Sequence, residues 1–496
     1  MKQQYILSID QGTSSSRAVL FDQKQRVVGV EQEELQVYYP SKGWIEQDPM
    51  EIMDSVYSVV EKLLKNLAIK SGDIAAIGIT NQRETTVVWD KKTGKPIHHA
   101  IVWQDVRTQA YCSQIKENGY DSFIKKRTGL IIDSYFSATK LKWLLDKYDV
   151  NRERSKKGEL LFGTIDTWIL WNLSNKKAHY TDYSNASRTM LFNIYDRKWC
   201  PKLMSYFNIP QEILPEVKDT SGLFGYTANG FLGYKIPITA MVGDQQSSLF
   251  GHHCLGAGMA KNTYGTGCFM LMNTGNQVVD SKYGLLSTIA WQFNGEITYA
   301  LEGSVFVAGA VIQWLRDEMG LIKNAAESEY FAKKVKDNNG VYFVPAFTGL
   351  GAPYWDGAAQ GAILGLTRDS NKNHIIRAAL ESMAFQTKDI LNSMINDSGI
   401  NMIKLYVDGG AVENDFLMQF QADILDVEIK RPENKESTSL GAALFAGLAV
   451  GYYSLNTLKK HEYIDRAFVS SMNDEDRKQI YQGWKNAIDK VRTSAR

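Results

Sequence analysis

Cysteine is scarce in this 496-residue chain: Cys112, Cys200, Cys254 and Cys268 stand far apart and never as Cys-x-x-Cys. Such spacing suits neither a zinc ribbon nor a disulfide framework, and it fits a reducing, cytoplasmic setting. An excess of either charge is missing as well. Lys plus Arg number 56 and Asp plus Glu 55, a formal net charge of +1, so no global field draws the chain to nucleic acid or to an anionic bilayer. Long apolar runs are also lacking. Residues 1–5 are polar with no signal-peptide core, and the most membrane-like stretch, residues 440–450, is too short to span and rich in Gly and Ala, as a packed helix is. No nucleic-acid partner and no membrane insertion are therefore expected. Histidine pairs occur at His98-His99 and His252-His253, but neighbours in sequence point to different sides and no third ligand accompanies them, so they predict no metal centre. The sequence holds no Walker A motif and no protein-kinase glycine loop.

What is present is an alternation of strand-like and helix-like runs from end to end, the pattern of an α/β protein. The length corresponds to about three domain equivalents, which excludes a single small module. Ile6, Leu7 and Ile9 precede Asp10-Gln11-Gly12-Thr13, and an apolar run resumes at residues 18–21, predicting strand, polar turn, strand. Asp48-Pro49 opens the clearest helix, with Ile52, Val56, Val59, Val60, Leu63, Leu64 and Leu67 on one face. Further strands are predicted at 76–80, 87–89, 236–242, 269–272, 342–345 and 405–407, each ending in turn chemistry. The Gly-Thr turn near the start has an echo at Tyr264-Gly265-Thr266-Gly267, which implies two halves, residues 1–250 and 251–496.

Residues 10–17 gather a carboxylate, a glycine, four hydroxyls and a guanidinium, the groups that line phosphate oxygens and accompany Mg²⁺. Asp408-Gly409-Gly410-Ala411 follows a strand and leads to Asn414 and an amphipathic run, as in folds that bring a nucleotide close to backbone. A tight turn without ligand uses the same residues. Arg83-Glu84 offers both hydrogen-bond polarities at a strand tip; taken alone, two adjacent charges read as a surface ion pair or a turn. Trp103, Tyr135 and Phe269 taken alone read as core, and Asp244 after a strand reads as a helix N-cap.

The three turns resemble the two phosphate motifs and the adenosine motif of the actin-like ATPase superfamily. Within it, the segments 80–86, 103–108, 243–246, 261–267 and 351–356 are similar to the FGGY carbohydrate kinases, above all to members that act on glycerol. The resemblance implies two ribonuclease-H-like domains with a catalytic cleft between them, ATP and Mg²⁺ as cofactors, glycerol as the acceptor, and a homodimer or homotetramer. It also implies residue roles: Asp244 as catalytic base; Arg83, Glu84, Trp103, Tyr135, Gln245 and Phe269, with Asp244, around glycerol; Thr13, Ser14, Ser15, Arg17, Thr266, Gly309, Gln313, Gly410 and Asn414 at the nucleotide; and Asp10 at the metal. Two control devices of such kinases find no support. Residues 222–242 contain no phosphorylatable His, and residues 229–235 offer two glycines and one cation, too little for a bisphosphate site. The competing expectations are a relative acting on a pentulose or a four-carbon polyol, and a nonenzymatic ATP-driven clamp.

Overall fold

A computed structural model of the chain describes residues 4–228, 231–458 and 463–493, so Asn229 and Gly230 of the weak bisphosphate loop lie outside the described residues. The first half builds a six-stranded sheet from β1 (Tyr5–Gln11), β2 (Ser15–Phe21), β3 (Val27–Glu34), β4 (Ile74–Asn81), β5 (Ser221–Tyr226) and β6 (Pro237–Gly243), in the order β5-β6-β4-β1-β2-β3. The second half builds a seven-stranded sheet from β7 (Met259–Tyr264), β8 (Cys268–Gly275), β9 (Leu286–Phe293), β10 (Glu296–Val305), β11 (Lys404–Gly409), β12 (Glu428–Pro432) and β13 (Ile464–Phe468), in the order β9-β10-β8-β7-β11-β12-β13.

One motif recurs in the two sheets. In each, the leading strand pairs antiparallel with the next, which pairs antiparallel with a third, while two later strands add in parallel on the other side of the leading strand. This is the repeat that the paired Gly-Thr turns imply, and it is the two-domain α/β architecture expected from the sequence. All six further strands predicted from the sequence are present, the short ones as Val87–Asp90 and Tyr342–Val344.

Helix α1 (Pro49–Asn66) begins where the sequence places it. The Asp48 carboxylate accepts from the Met50 N–H at 2.8 Å, and proline follows the cap. Its apolar stripe is buried against β2 and β3. Two other helices join the halves: α2 (Asp244–Gly251), which follows β6, and α3 (Ser437–Ala449). Helix α3 belongs by sequence to the second half, yet it packs on β1, β4 and β6 of the first sheet as well as on α2. The approach is close because glycines meet backbone. A Cβ on Gly441 would lie 1.9 Å from the Ser247 carbonyl, one on Gly251 2.0 Å from that of Ser437, and one on Gly78 2.3 Å from that of Ala442. Phe250 and Phe445 stack with centroids 3.8 Å apart inside an apolar cluster that draws on both sheets. Residues 440–450 thus form the packed helix that their Gly and Ala content suggests, and none of the helices among the described residues is long and apolar enough to cross a membrane.

Gly441→Ala should force α2 and α3 apart, at a cost of about 1–3 kcal/mol from overpacking. A lower melting temperature, read by circular dichroism, is the expected outcome; an unchanged one would mean that the contact yields freely.

Candidate functional site

The first phosphate-type turn joins β1 to β2, with Asp10 paired across to Arg17. The turn closes on itself, the Gly12 N–H donating to the Ser15 carbonyl at 2.9 Å. Thr13 is fixed from two sides: its carbonyl accepts from Gln47 Nε2 at 2.7 Å and its hydroxyl from Trp103 Nε1 at 2.9 Å. The second turn, between β7 and β8, is held by helix α4 (Gly309–Asp317), whose Gly309 N–H donates to the Gly265 carbonyl at 3.0 Å. Gly309 carries no Cβ because one would meet that carbonyl at 2.5 Å. Gly409, at φ +93°, presses on the same turn, where a Cβ would lie 2.1 Å from the Tyr264 carbonyl.

The five nucleotide residues expected from the second half come together. Thr266, Gly309, Gln313, Gly410 and Asn414 line one cavity of about 560 Å³, with Ile312, Leu380, Met383 and Leu417 as its apolar wall. Asn414 caps α5 (Asp415–Leu425), accepting from the Leu417 N–H at 2.9 Å. Thr13, Ser14, Ser15 and Arg17 stand apart from this cavity, on the first turn.

Between the turns lies a compact polar and aromatic chamber. Trp103 is 5.4 Å from Tyr135 and 6.3 Å from Phe269, centroid to centroid, so an aromatic wall runs from Thr13 to the strand that leaves the second turn. Arg83 and Glu84 are buried, not the surface pair that their adjacency suggests, and Glu84 holds a left-handed φ of +61°. Arg83 donates to Glu302 at 2.6 and 3.1 Å, to Gln246 Oε1 at 3.2 Å and to Tyr135 at 3.3 Å, and its Nε lies 3.2 Å from Asp244. Arg188 Nε donates to Glu84 at 2.6 Å, and its Nη2 to Glu302 at 3.0 Å. Asp244 is the first residue of α2 and not its N-cap; Gly243 takes that position, and the Asp244 carboxylate accepts from the Gln245 N–H at 2.7 Å.

Charge in this chamber is set by burial working against close partners. Burial alone would raise the Glu302 carboxyl, but Arg188 and Arg83 outweigh it and hold the group down at about 2. Burial raises Glu84 against the pull of the same two arginines, and pushes the Tyr135 phenol far above its ordinary range. Asp10 has no such partner strong enough to offset its surroundings. Burial carries its carboxyl up to about 7 despite Arg17, and nearby Asp244 adds to the rise. Arg17 is divided between Glu436 at 2.7 Å and Gln32 at 2.9 Å, and Ser439 donates to Asp10 at 3.1 Å.

Four participants escape a reading of the sequence: Glu302 of β10, Arg188, Lys261 of β7, and Glu436 before α3. The available signal was a lone charge inside an apolar strand, as in Ala300-Leu301-Glu302-Gly303 and Met259-Ala260-Lys261. A charged residue there stays only where a partner waits.

A family match accords with this geometry. Residues 5–251 match the N-terminal domain, and residues 260–450 the C-terminal domain, of the FGGY family of carbohydrate kinases, and the chain belongs to that family. Among its relatives, a glycerol kinase of Caldanaerobacter subterraneus subsp. tengcongensis is 56% identical over 488 residues, covering 98% of each chain. A glycerol kinase of Fusobacterium nucleatum is 56% identical over 491 residues, covering 98% of this chain and 99% of the relative. The crystal structure of Plasmodium falciparum glycerol kinase with ADP superposes with a TM-score of 0.94 at 38% identity, covering 99% of both chains. A xylulose kinase from Lactobacillus acidophilus, 22% identical with a TM-score of 0.87 and 98% coverage of each chain, shares the fold.

Removing the charge of Glu302 leaves Arg188 with Glu84, and Arg83 with only the partly exposed Asp244 and a distant Glu84. Glu302→Gln should destabilise the protein by about 3–5 kcal/mol, the cost of breaking one side of a buried ion pair. Denaturant unfolding checks this, and a loss below 1 kcal/mol would show that the cluster is dispensable.

Proposed function

We propose that the chain phosphorylates glycerol at the expense of ATP, giving sn-glycerol 3-phosphate, the first step of glycerol catabolism. The observation that carries this reading is the convergence of Arg83, Glu84 and Asp244 with Trp103, Tyr135 and Phe269 directly beside Thr13 of the first turn. A small polyol needs donors and acceptors for every hydroxyl and an apolar wall for its carbon edge, and a site so built rejects molecules that lack a hydroxyl. Arg83 donates, Glu84 accepts on the oxygen that Arg188 does not hold, and Gln245 adds an amide.

Asp244 acts as the base. Three carboxylates lie in the chamber, but arginines hold both oxygens of Glu302 and one oxygen of Glu84, whereas the Asp244 side chain is 28% exposed and the most open to a substrate. It opens a helix with the Arg83 guanidinium 3.2 Å away, placed to accept the proton of a terminal hydroxyl as that oxygen attacks in line. With a loose transition state, positioning and charge supply most of the acceleration. Thr13, Ser14, Ser15, Arg17 and Thr266 hold the phosphates, and Gly309, Gln313, Gly410 and Asn414 the rest of the nucleotide.

The residues present fit Mg²⁺ at Asp10. Its carboxyl, raised by burial to about 7 against the pull of Arg17 and with Asp244 nearby, is only partly compensated by a cation. Among the described residues no group of three or more His, Cys, Asp or Glu could hold a metal by itself, which suits an ion shared with phosphates. Bound there, Mg²⁺ supplies charge neutralisation. The two halves serve as domains 1–250 and 251–496, and the protein works as a cytoplasmic homodimer or homotetramer.

A coupled ADP-release assay with glycerol, erythritol and xylulose tests the reading. Turnover should be fastest with glycerol and should fall by at least about 100-fold in Asp244→Asn, with glycerol binding retained; ATP turnover indifferent to polyols would instead indicate a nucleotide-driven clamp. The pH dependence follows from Asp10. Below about pH 7 its carboxyl is protonated and cannot hold a cation, so kcat/KM for MgATP should rise up to that pH and then level off. Extra Mg²⁺ should move the rise to lower pH, and an acid limb unmoved by Mg²⁺ would remove Asp10 from the metal site.

A further inference from the structure

Among the described residues two lysines, Lys140 and Lys261, have no exposed surface, and they are satisfied very differently. Lys140 sits under the Tyr135 loop with its ammonium donating to three backbone carbonyls, those of Ser134, Tyr135 and Phe136, which uses all three of its N–H groups. Lys261 donates to only two groups, Gln245 Oε1 and Thr263 Oγ1, the latter at 2.8 Å, and both are uncharged. Among the described residues it forms no ion pair; Asp408 and Asp244 act on it through space, opposing the burial that lowers its pKa to about 8. A buried ammonium with a spare N–H and no anion is costly to keep.

Its position tells what the charge faces. Lys261 and Thr263 share one face of β7, and that strand runs directly into the second phosphate turn at Tyr264. Its other acceptor, Gln245, adjoins Asp244 at the start of α2. Both acceptors are half-buried, so the ammonium is held by side chains that reach the surface, one next to Asp244 and one next to the second turn. Arg17, the cation of the first turn, is already engaged by Glu436.

We propose that Lys261 is a further catalytic residue, the cation that the second half contributes to the phosphoryl group as it passes to the acceptor hydroxyl. The proposal rests on the kinase reading above. In that step a bond forms between the acceptor oxygen and the γ-phosphorus, the bond from that phosphorus to the bridging oxygen breaks with its electron pair leaving on ADP, and the hydroxyl proton goes to Asp244. The third N–H of Lys261 donates to an equatorial oxygen of the moving group, whose charge compensates the ammonium in turn.

The test compares Lys261→Met and Lys261→Arg with the unmodified protein by steady-state kinetics and by calorimetric binding of ADP, with and without aluminium fluoride, in the presence of glycerol. In the Met variant kcat should fall about 100-fold or more, with the glycerol KM and the ADP affinity within about threefold. The added affinity that aluminium fluoride confers on ADP should disappear, since that complex imitates the group in transit. Arg should restore a large part of both. A Met variant with kcat within threefold of the unmodified protein, or one that loses ADP and ADP–aluminium fluoride affinity equally, would overturn the proposal. Should the Met variant fail to fold, Lys261→Gln carries the same expectations. An unmodified protein without polyol-dependent ADP release would defeat the kinase reading itself, whereas an active one alongside an active Met variant would defeat the role of Lys261 alone.

Discussion

One carboxylate of the second half, Glu302, lies with no exposed surface between two arginines of the first half. Everything in the chamber depends on that arrangement. Two guanidinium groups cannot be buried side by side without an anion between them, and the anion arrives on a strand of the opposite sheet. Arg83 is thereby aimed toward Asp244, and Arg188 toward Glu84. The substrate-facing groups are set by an interaction that spans the interface, so the shape of the pocket depends on how the halves meet.

How they meet is decided by helices α2 and α3. Their glycines allow backbone to touch backbone, and a shared apolar cluster closes over them. The starts of both helices are also where the chemistry gathers. Asp244 opens α2, while Glu436, Ser437 and Ser439 at the start of α3 reach Arg17, Asp408 and Asp10 respectively. A shift of this helix pair therefore moves Asp244, the first turn and the strand end at Asp408 together.

Much of this was legible in the chain. The hairpin around Asp10-Gln11-Gly12-Thr13, the capped helix at Asp48-Pro49 and the strand, diglycine, helix passage at Asp408 all carry local signatures, because turns and caps are made by residues close in sequence. The repeat of Gly-Thr turns gave the two sheets. Arg83 and Glu84 were less legible on their own: adjacent charges look solvated until a fold buries them, and Glu302 and Arg188, which pair with them, lie 219 and 104 residues away. Glu302 and Lys261 leave only the weak local mark of a lone charge in an apolar run, whose partner is found through long-range contacts alone. The N-cap reading of Asp244 failed by one residue, because Gly243 adopts the extended backbone of the cap. Helix α3 lies on the first sheet despite its late place in sequence, a long-range packing that no local pattern announces.

The central claim is that segments from the two halves address one pair of substrates across a common cleft. A crystal structure with glycerol and a nonhydrolysable MgATP analogue tests it most directly. The account predicts glycerol oxygens within hydrogen-bonding distance of Arg83, Glu84 and Asp244, with the phosphates held between Thr13 and Thr266. Phosphates bound by one turn alone, or glycerol seated away from Trp103 and Arg83, would contradict it.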